Sequence, residues 1–195
     1  SPLPLPERSD TSPYFTFTYT VLIPLLVFLP VFISGSLVVD SITEEIDQGT
    51  MELLRVAPVT LAEIVDGKAA AAIGIAPGQA LIWLLLLEAN GTSVANVGPI
   101  LALMTALTTL VVAVAAGISA VAPDRRAAQL LYSVAVLVLF GGATAMAGGP
   151  ANAVARLAID SADAATGVLV VAYAVIAGAA YLGVRRVVAA EGLGR

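Results

Sequence analysis

The sequence predicts an all-α polytopic membrane protein. The expected architecture is a bundle of five transmembrane helices, with a short helix on the cytoplasmic side and an amphipathic helix on the external side. Three observations predict it. Of the 195 residues, 59% belong to the set AVILMFWYC and only 12% are charged, about half the ~25% usual in soluble domains; mean hydropathy is +0.97. The charges are also clustered, with none at 11–39, 69–87, 89–123, 127–155 or 164–184, and ~20 mostly apolar residues suffice to cross the hydrocarbon core as a helix. These runs are continuously apolar, whereas the strands of a transmembrane barrel alternate. A water-soluble fold is excluded.

Residues 1–13 (SPLPLPERSDTSP) are rich in Pro and Ser and read as an extended external linker. They lack the basic start, apolar core and small-residue cleavage site of a signal peptide, and the chain is expected to continue from an upstream part. The rest, 14–195, reads as one membrane domain with spans near 14–39, 61–88, 99–121, 127–147 and 164–184. The first span opens on Tyr14, Phe15, Phe17 and Tyr19, placed as an interfacial aromatic belt. Pro24 and Pro30 lie inside it and Pro77 inside the second; each removes an internal hydrogen bond and kinks its helix. Small-xxx-small pairs at Gly74/Gly78, Ala113/Gly117 and Ala174/Gly178 point to close helix packing. Residues 148–163 carry apolar side chains at 151, 153, 154, 157 and 158, with Arg156 and Asp160 opposite, the pattern of a short helix lying on a membrane surface.

Orientation follows from the basic residues. With the N-terminus outside, Arg55, Lys68, Arg125, Arg126, Arg185, Arg186 and Arg195 are cytoplasmic, and Arg8 and Arg156 are external. Asn90-Gly91-Thr92 then lies outside as a glycosylation sequon. The acid excess, net charge −5 with Lys68 the single lysine, suits a protein of a high-salt cell and carries no basic footprint for nucleic acid.

Absences remove several chemistries. The chain has no Cys and no His, so there is no disulfide framework, Cys-ligated metal, Ser-His dyad or HExxH zinc motif. Gly67-Lys68 is not the end of a phosphate-binding loop, because Ala62 and Ala69 occupy positions where GxxxxGK[ST] requires Gly and Ser or Thr. No Asp, Glu, Lys or Arg lies within the five cores, where ion-coupled carriers commonly place such groups. Glu88 sits at a membrane boundary, where a carboxylate is hydrated, and Gln79 is a mid-span amide that either lines a pathway or bonds a neighbouring helix.

Residues 40–68 (DSITEEIDQGTMELLRVAPVTLAEIVDGK) pack seven acids and two bases between two spans. Ser41 or Thr43 can cap a short acidic helix containing Glu44, Glu45 and Asp47, ended by Gly49. Thr50 can cap a second short helix, Met51 to Arg55, with Glu52 in its first turn and Pro58 beyond it. Thr60-Leu61-Ala62-Glu63 reads as a capping box that opens the next helix. Met51, Leu53 and Leu54 then form an apolar surface on the cytoplasmic side.

The spacing Glu45-x3-Gly49-Thr50-x-Glu52-Leu53-Leu54-x3-Pro58, followed by Ile64-x2-Gly67-Lys68, resembles the cytoplasmic loop of ATP-binding-cassette (ABC) permeases of the type-2 exporter class, in particular their sodium-extrusion-like branch. Helix order agrees, since four spans follow the loop, and a helix before residue 1 is what the family adds. The resemblance implies a permease subunit that is not itself an enzyme. A separate ABC ATPase subunit would hold ATP and Mg, and two permease subunits, in a homo- or heterodimer, would form the pathway across the plasma membrane. It assigns Glu45, Gly49, Thr50, Met51, Glu52, Leu53, Leu54, Pro58 and Lys68 to coupling with the ATPase through a helix-in-groove contact of loop 40–67. Two other functions share the architecture: an ion-coupled secondary carrier and a non-transporting membrane assembly protein. The cargo stays open among sodium, drugs, lipids and polysaccharides.

Overall fold

The structure, a computed structural model, describes residues 12–47, 61–146 and 148–193. These are helical, with no strand among the described residues. The elements are α1 (Pro13–Phe17), a π turn (Thr18–Leu22), α2 (Ile23–Asp47), α3 (Leu61–Ala89), α4 (Val97–Val121), α5 (Arg125–Ala145), α6 (Pro150–Ala158) and α7 (Ala164–Leu193). Five helices of the described residues are long and apolar enough to cross a membrane. The long helices alternate in direction, which gives the bundle two ends. The connector end carries the termini of α2 and α3 that flank residues 48–60; the far end carries α6.

Three helix starts carry a local side-chain cap. Ser12 accepts the Phe15 amide at 3.2 Å, with Pro13 at the first helical position. The π turn follows at once, closed by the Ile23 amide on the Thr18 carbonyl. It precedes Pro24, whose ring would strike the Thr20 carbonyl in a regular α turn, so the wider turn relieves that clash. Asp124 caps α5 by accepting the Ala127 amide at 2.7 Å. Asp163 caps α7 by accepting the Thr166 amide at 2.8 Å.

The first span differs from its expected extent. The apolar run stops at Val39, yet α2 continues unbroken to Asp47. Thr43 does not cap a new helix; its hydroxyl donates back to the Val39 carbonyl at 2.7 Å. No Gly or Pro interrupts 36–47, and Asp40 and Glu45 of this extension pair with Arg125 and Lys68 on neighbouring helices, so nothing forces a stop. The second short helix at Met51 and the capping box from Thr60 fall largely on 48–60, outside the described residues.

α4 is the centre of the bundle. Ile100, Leu103, Met104, Val112, Ala115 and Ala116 are buried, and its buried Thr108 and Ser119 hydroxyls donate to the Met104 and Ala115 carbonyls. That back-bonding satisfies polar groups where no water is available. α7 rests chiefly on α4 and only lightly on α3. Because lipid is as apolar as a leucine side chain, these helices associate by close approach. At Gly117 a Cβ would lie 3.6 Å from Val184, so the Ala113/Gly117 pair is at an interface. A Cβ at Gly74, Gly78 or Gly178 would meet nothing within 4 Å, so these three glycines are not sites of close helix approach among the described residues.

Gly35 lets α2 come close to α4 and α5. A Cβ there would meet Val111 at 2.6 Å and, closer still, the Tyr132 hydroxyl. Tyr132 uses the space to donate to the Phe32 carbonyl at 2.5 Å, and Phe32 stacks edge-on against Phe140 with centroids 5.7 Å apart.

The far end is closed by α6. Most of its residues are buried, including Asn152, Val154 and Leu157, so it plugs the bundle end instead of lying on a surface. Asn96, at φ 51, donates to the Leu157 carbonyl and to Asp160, itself at φ 56. Arg156 bridges Asn152 and Asp163. The aromatic belt divides: Tyr14 and Phe17 are exposed, whereas Tyr19 is buried and donates to the Ser93 carbonyl at 2.5 Å.

Candidate functional site

The charged side chains of the described spans concentrate at the connector end, where they tie helices together in sequence. Asp40 of α2 accepts Nη2 and Nε of Arg125, at the start of α5, at 2.9 and 3.2 Å. Glu45 Oε1 of α2 pairs with Lys68 Nζ of α3 at 2.7 Å. Lys68 also donates to the Ser41 carbonyl at 2.9 Å and to the Ser41 hydroxyl. Asp66 of α3 accepts the Tyr181 hydroxyl on Oδ1 at 2.6 Å and Arg185 Nε on Oδ2 at 2.8 Å, both from α7. The chain of contacts runs α5–α2–α3–α7.

Helix geometry explains why α3 can serve two neighbours. Asp66 and Lys68 are two residues apart, about 200° around the helix axis, so one turns to α7 and the other to α2. Alternating helix direction brings the partners to a common level. A Lys ammonium is a compact charge with three donors, and here three acceptors on α2 surround it. The pair is partly shielded from water, with side-chain exposures of 21% for Lys68 and 27% for Glu45.

Of the residues singled out from sequence, the structure brings Glu45 and Lys68 together. Gly49, Thr50, Met51, Glu52, Leu53, Leu54 and Pro58 lie outside the described residues. Their described flanks, the end of α2 and the start of α3, are the two helices that the Lys68 cluster joins. Gln79 is half-buried on α3 and makes no side-chain hydrogen bond to another described residue. Glu88 is exposed. Asn90 is exposed at the far end, its amide donating to the Leu86 carbonyl at 2.8 Å. Arg125 and Arg185 are each engaged in a helix-to-helix ion pair.

Two cavities lie between the helices. One of about 290 Å³ is bounded by Thr20, Pro24, Phe28, Phe140, Thr144 and Asn152 toward the far end. A second of about 180 Å³ lies beside Phe32, Val111, Leu139 and Tyr173. Both are mainly apolar, and Gln79 lines neither.

Residues 1–183 match the family described as ABC-2 family transporter protein. The chain belongs to that family. No curated protein and no solved structure matches it. An ABC-2 protein is the membrane domain of an ABC transporter and normally carries no enzymatic site of its own; it associates with an ABC ATPase partner. The five apolar helices of this ABC-2 chain are that membrane domain. Sequence reasoning missed Asp40–Arg125 and Asp66–Tyr181–Arg185. The signal available was depth: in helices of alternating direction, Asp40, Asp66, Arg125 and Arg185 all fall close to one end.

Proposed function

We propose that this chain is the permease subunit of an ATP-driven exporter of the plasma membrane. Residues 48–60 form the contact with a separate ATPase subunit, which binds ATP and Mg. Met51, Leu53 and Leu54 supply the apolar face of that contact, and Gly49, Thr50, Glu52 and Pro58 shape it. Two permease subunits assemble around the cargo pathway. The connector end and the C-terminus are cytoplasmic, while α6 and Asn90 are external; the seven-to-two distribution of Lys and Arg supports this orientation.

The observation that carries the proposal, given the family, is the Lys68 cluster. Lys68 joins α2 and α3 where the connector leaves and returns. A displacement delivered to 48–60 therefore acts on both helices as one body, and the remaining ion pairs extend from that body to α5 and α7. A machine driven from outside the membrane needs such a stiff input.

The test is the double variant Leu53→Asp with Leu54→Asp. Burying each leucine contributes ~1.5–3 kcal/mol before association costs, so losing both should abolish co-purification of the ATPase. Expression and membrane insertion should stay at the parent level, because both positions lie outside the spans. Retention of ATPase binding and of stimulated hydrolysis in the double variant refutes the docking assignment.

A further inference from the structure

We propose that Asp66 is a positioning residue that makes α7 move with α3, so that input at the connector reaches the last helix. The proposal rests on the coupling role of the connector and assigns the route from it.

α7 packs extensively against α4 and only lightly against α3. Packing alone would keep α7 with α4 whenever α3 is displaced. What opposes this is one carboxylate with its two oxygens engaged by different residues of α7. Tyr181 and Arg185 are four apart, one above the other on a single helix face, and they reach Oδ1 at 2.6 Å and Oδ2 at 2.8 Å. A single contact would act as a pivot. Two contacts one turn apart fix both the axial position and the rotation of α7 relative to α3. Arg185 approaches through Nε and Tyr181 through its hydroxyl, so one bond is charge-assisted on both partners and the other on the acceptor side.

The location strengthens the assignment. Asp66 is two residues from Lys68, and the same turn of α3 that is locked to α2 is thereby locked to α7. The side chain of Asp66 is 28% exposed, shielded enough for the contact to persist yet placed at the connector end and not mid-span.

The experiment uses the complete transporter with its ATPase in lipid nanodiscs. Spin labels are placed on cysteines introduced at Ala71 (α3), Val121 (α4) and Val187 (α7), all exposed; this chain has no native Cys, and with a Cys-free ATPase only the added labels remain. Pairwise distances are measured without nucleotide and with ATP plus vanadate. In the parent the Ala71–Val121 and Val121–Val187 distances should shift with nucleotide, while Ala71–Val187 stays constant. In Asp66→Asn, and separately in Arg185→Gln, the Val121–Val187 shift should be lost and Ala71–Val187 should shift instead. Exchanging the charges, Asp66→Arg with Arg185→Asp, should restore the parent pattern at least in part, which a loss of folding would not allow. Parent behaviour in which Val187 stays with Val121 while Ala71 moves overturns the Asp66 assignment alone, as does parent-like motion in both single variants. An Ala71–Val121 distance that ignores nucleotide refutes the coupling reading itself and removes the route with it.

Discussion

Lys68→Met tests whether an ammonium group holds together the two helices that flank the connector. Methionine keeps the unbranched stem of lysine and removes only the charge and its donors. The variant loses the 2.7 Å pair with Glu45, the 2.9 Å bond to the Ser41 carbonyl and the contact with the Ser41 hydroxyl. A fully exposed ion pair contributes ~0.2–1 kcal/mol, and breaking a fully buried one costs ~3–5 kcal/mol. With exposures of 21% and 27%, water screens the pair in part, and the expected loss is about 1–2 kcal/mol. In a chain of this size each kcal/mol moves the melting temperature by roughly 2–4 °C. A drop of about 2–8 °C in detergent is therefore expected. A cycle with Glu45→Gln isolates the pair, and a coupling energy of about 1 kcal/mol should appear. Lys68→Arg should recover only part of the loss, since a planar fork cannot converge on three acceptors around one point. A Lys68→Met protein that melts with the parent, or a coupling energy of zero, refutes the idea that this cluster joins α2 and α3.

Three further outcomes can be checked on the same protein. Gly35→Ala places a Cβ against Val111 at 2.6 Å and against the Tyr132 hydroxyl; overpacking of this kind costs ~1–3 kcal/mol, and adding Tyr132→Phe should recover part of the melting temperature by removing the nearest atom. For orientation, an impermeant maleimide applied to intact cells should label Ser93→Cys and spare Glu63→Cys, both exposed positions, and the opposite pattern inverts the topology. The Thr166 amide and hydroxyl, with the charge of Arg156 added, hold the Asp163 carboxyl below the usual carboxylate range. Its stabilising contribution is complete above the unfolded value near ~4 and is lost as pH falls through the lower folded value, so Asp163→Asn should flatten the acid limb of the melting curve.

The number and order of the spans were legible because lipid imposes a severe condition: an uncharged run must be long enough to cross the core, and every backbone group must be satisfied within it. Hydropathy alone misplaced the end of the first span. Val39 ends the apolar run, but a helix ends where its hydrogen bonding is interrupted, and the residues to Asp47 offer no interruption. Periodicity along α2 gives no hint that Asp40 and Glu45 meet Arg125 and Lys68, because those partners lie on other helices. The Gly35 contact was hidden for the same reason: a small residue announces close approach without naming what approaches. Glu45 and Lys68 were singled out through a family resemblance; their contact with each other came only from the structure.

The two ends of the bundle are held by different physics, and this constrains how the protein can move. At the far end Tyr19 reaches the Ser93 carbonyl, Asn96 reaches the Leu157 carbonyl, and α6 is inserted among five neighbouring elements. Separating helices there would expose buried side chains and break short hydrogen bonds to backbone carbonyls, all in one step. At the connector end the ties are side-chain ion pairs at the edge of the bundle, half-exposed in two of the three. Water can replace such exposed contacts at a smaller cost. The cheaper displacement is therefore a tilt that pivots about the plugged far end and spreads or closes the connector end. Within that tilt α2, α3 and α7 travel together, because Lys68 holds α3 to α2 and Asp66 holds α3 to Tyr181 and Arg185 of α7. The displacement at the connector end is therefore one of this group against α4.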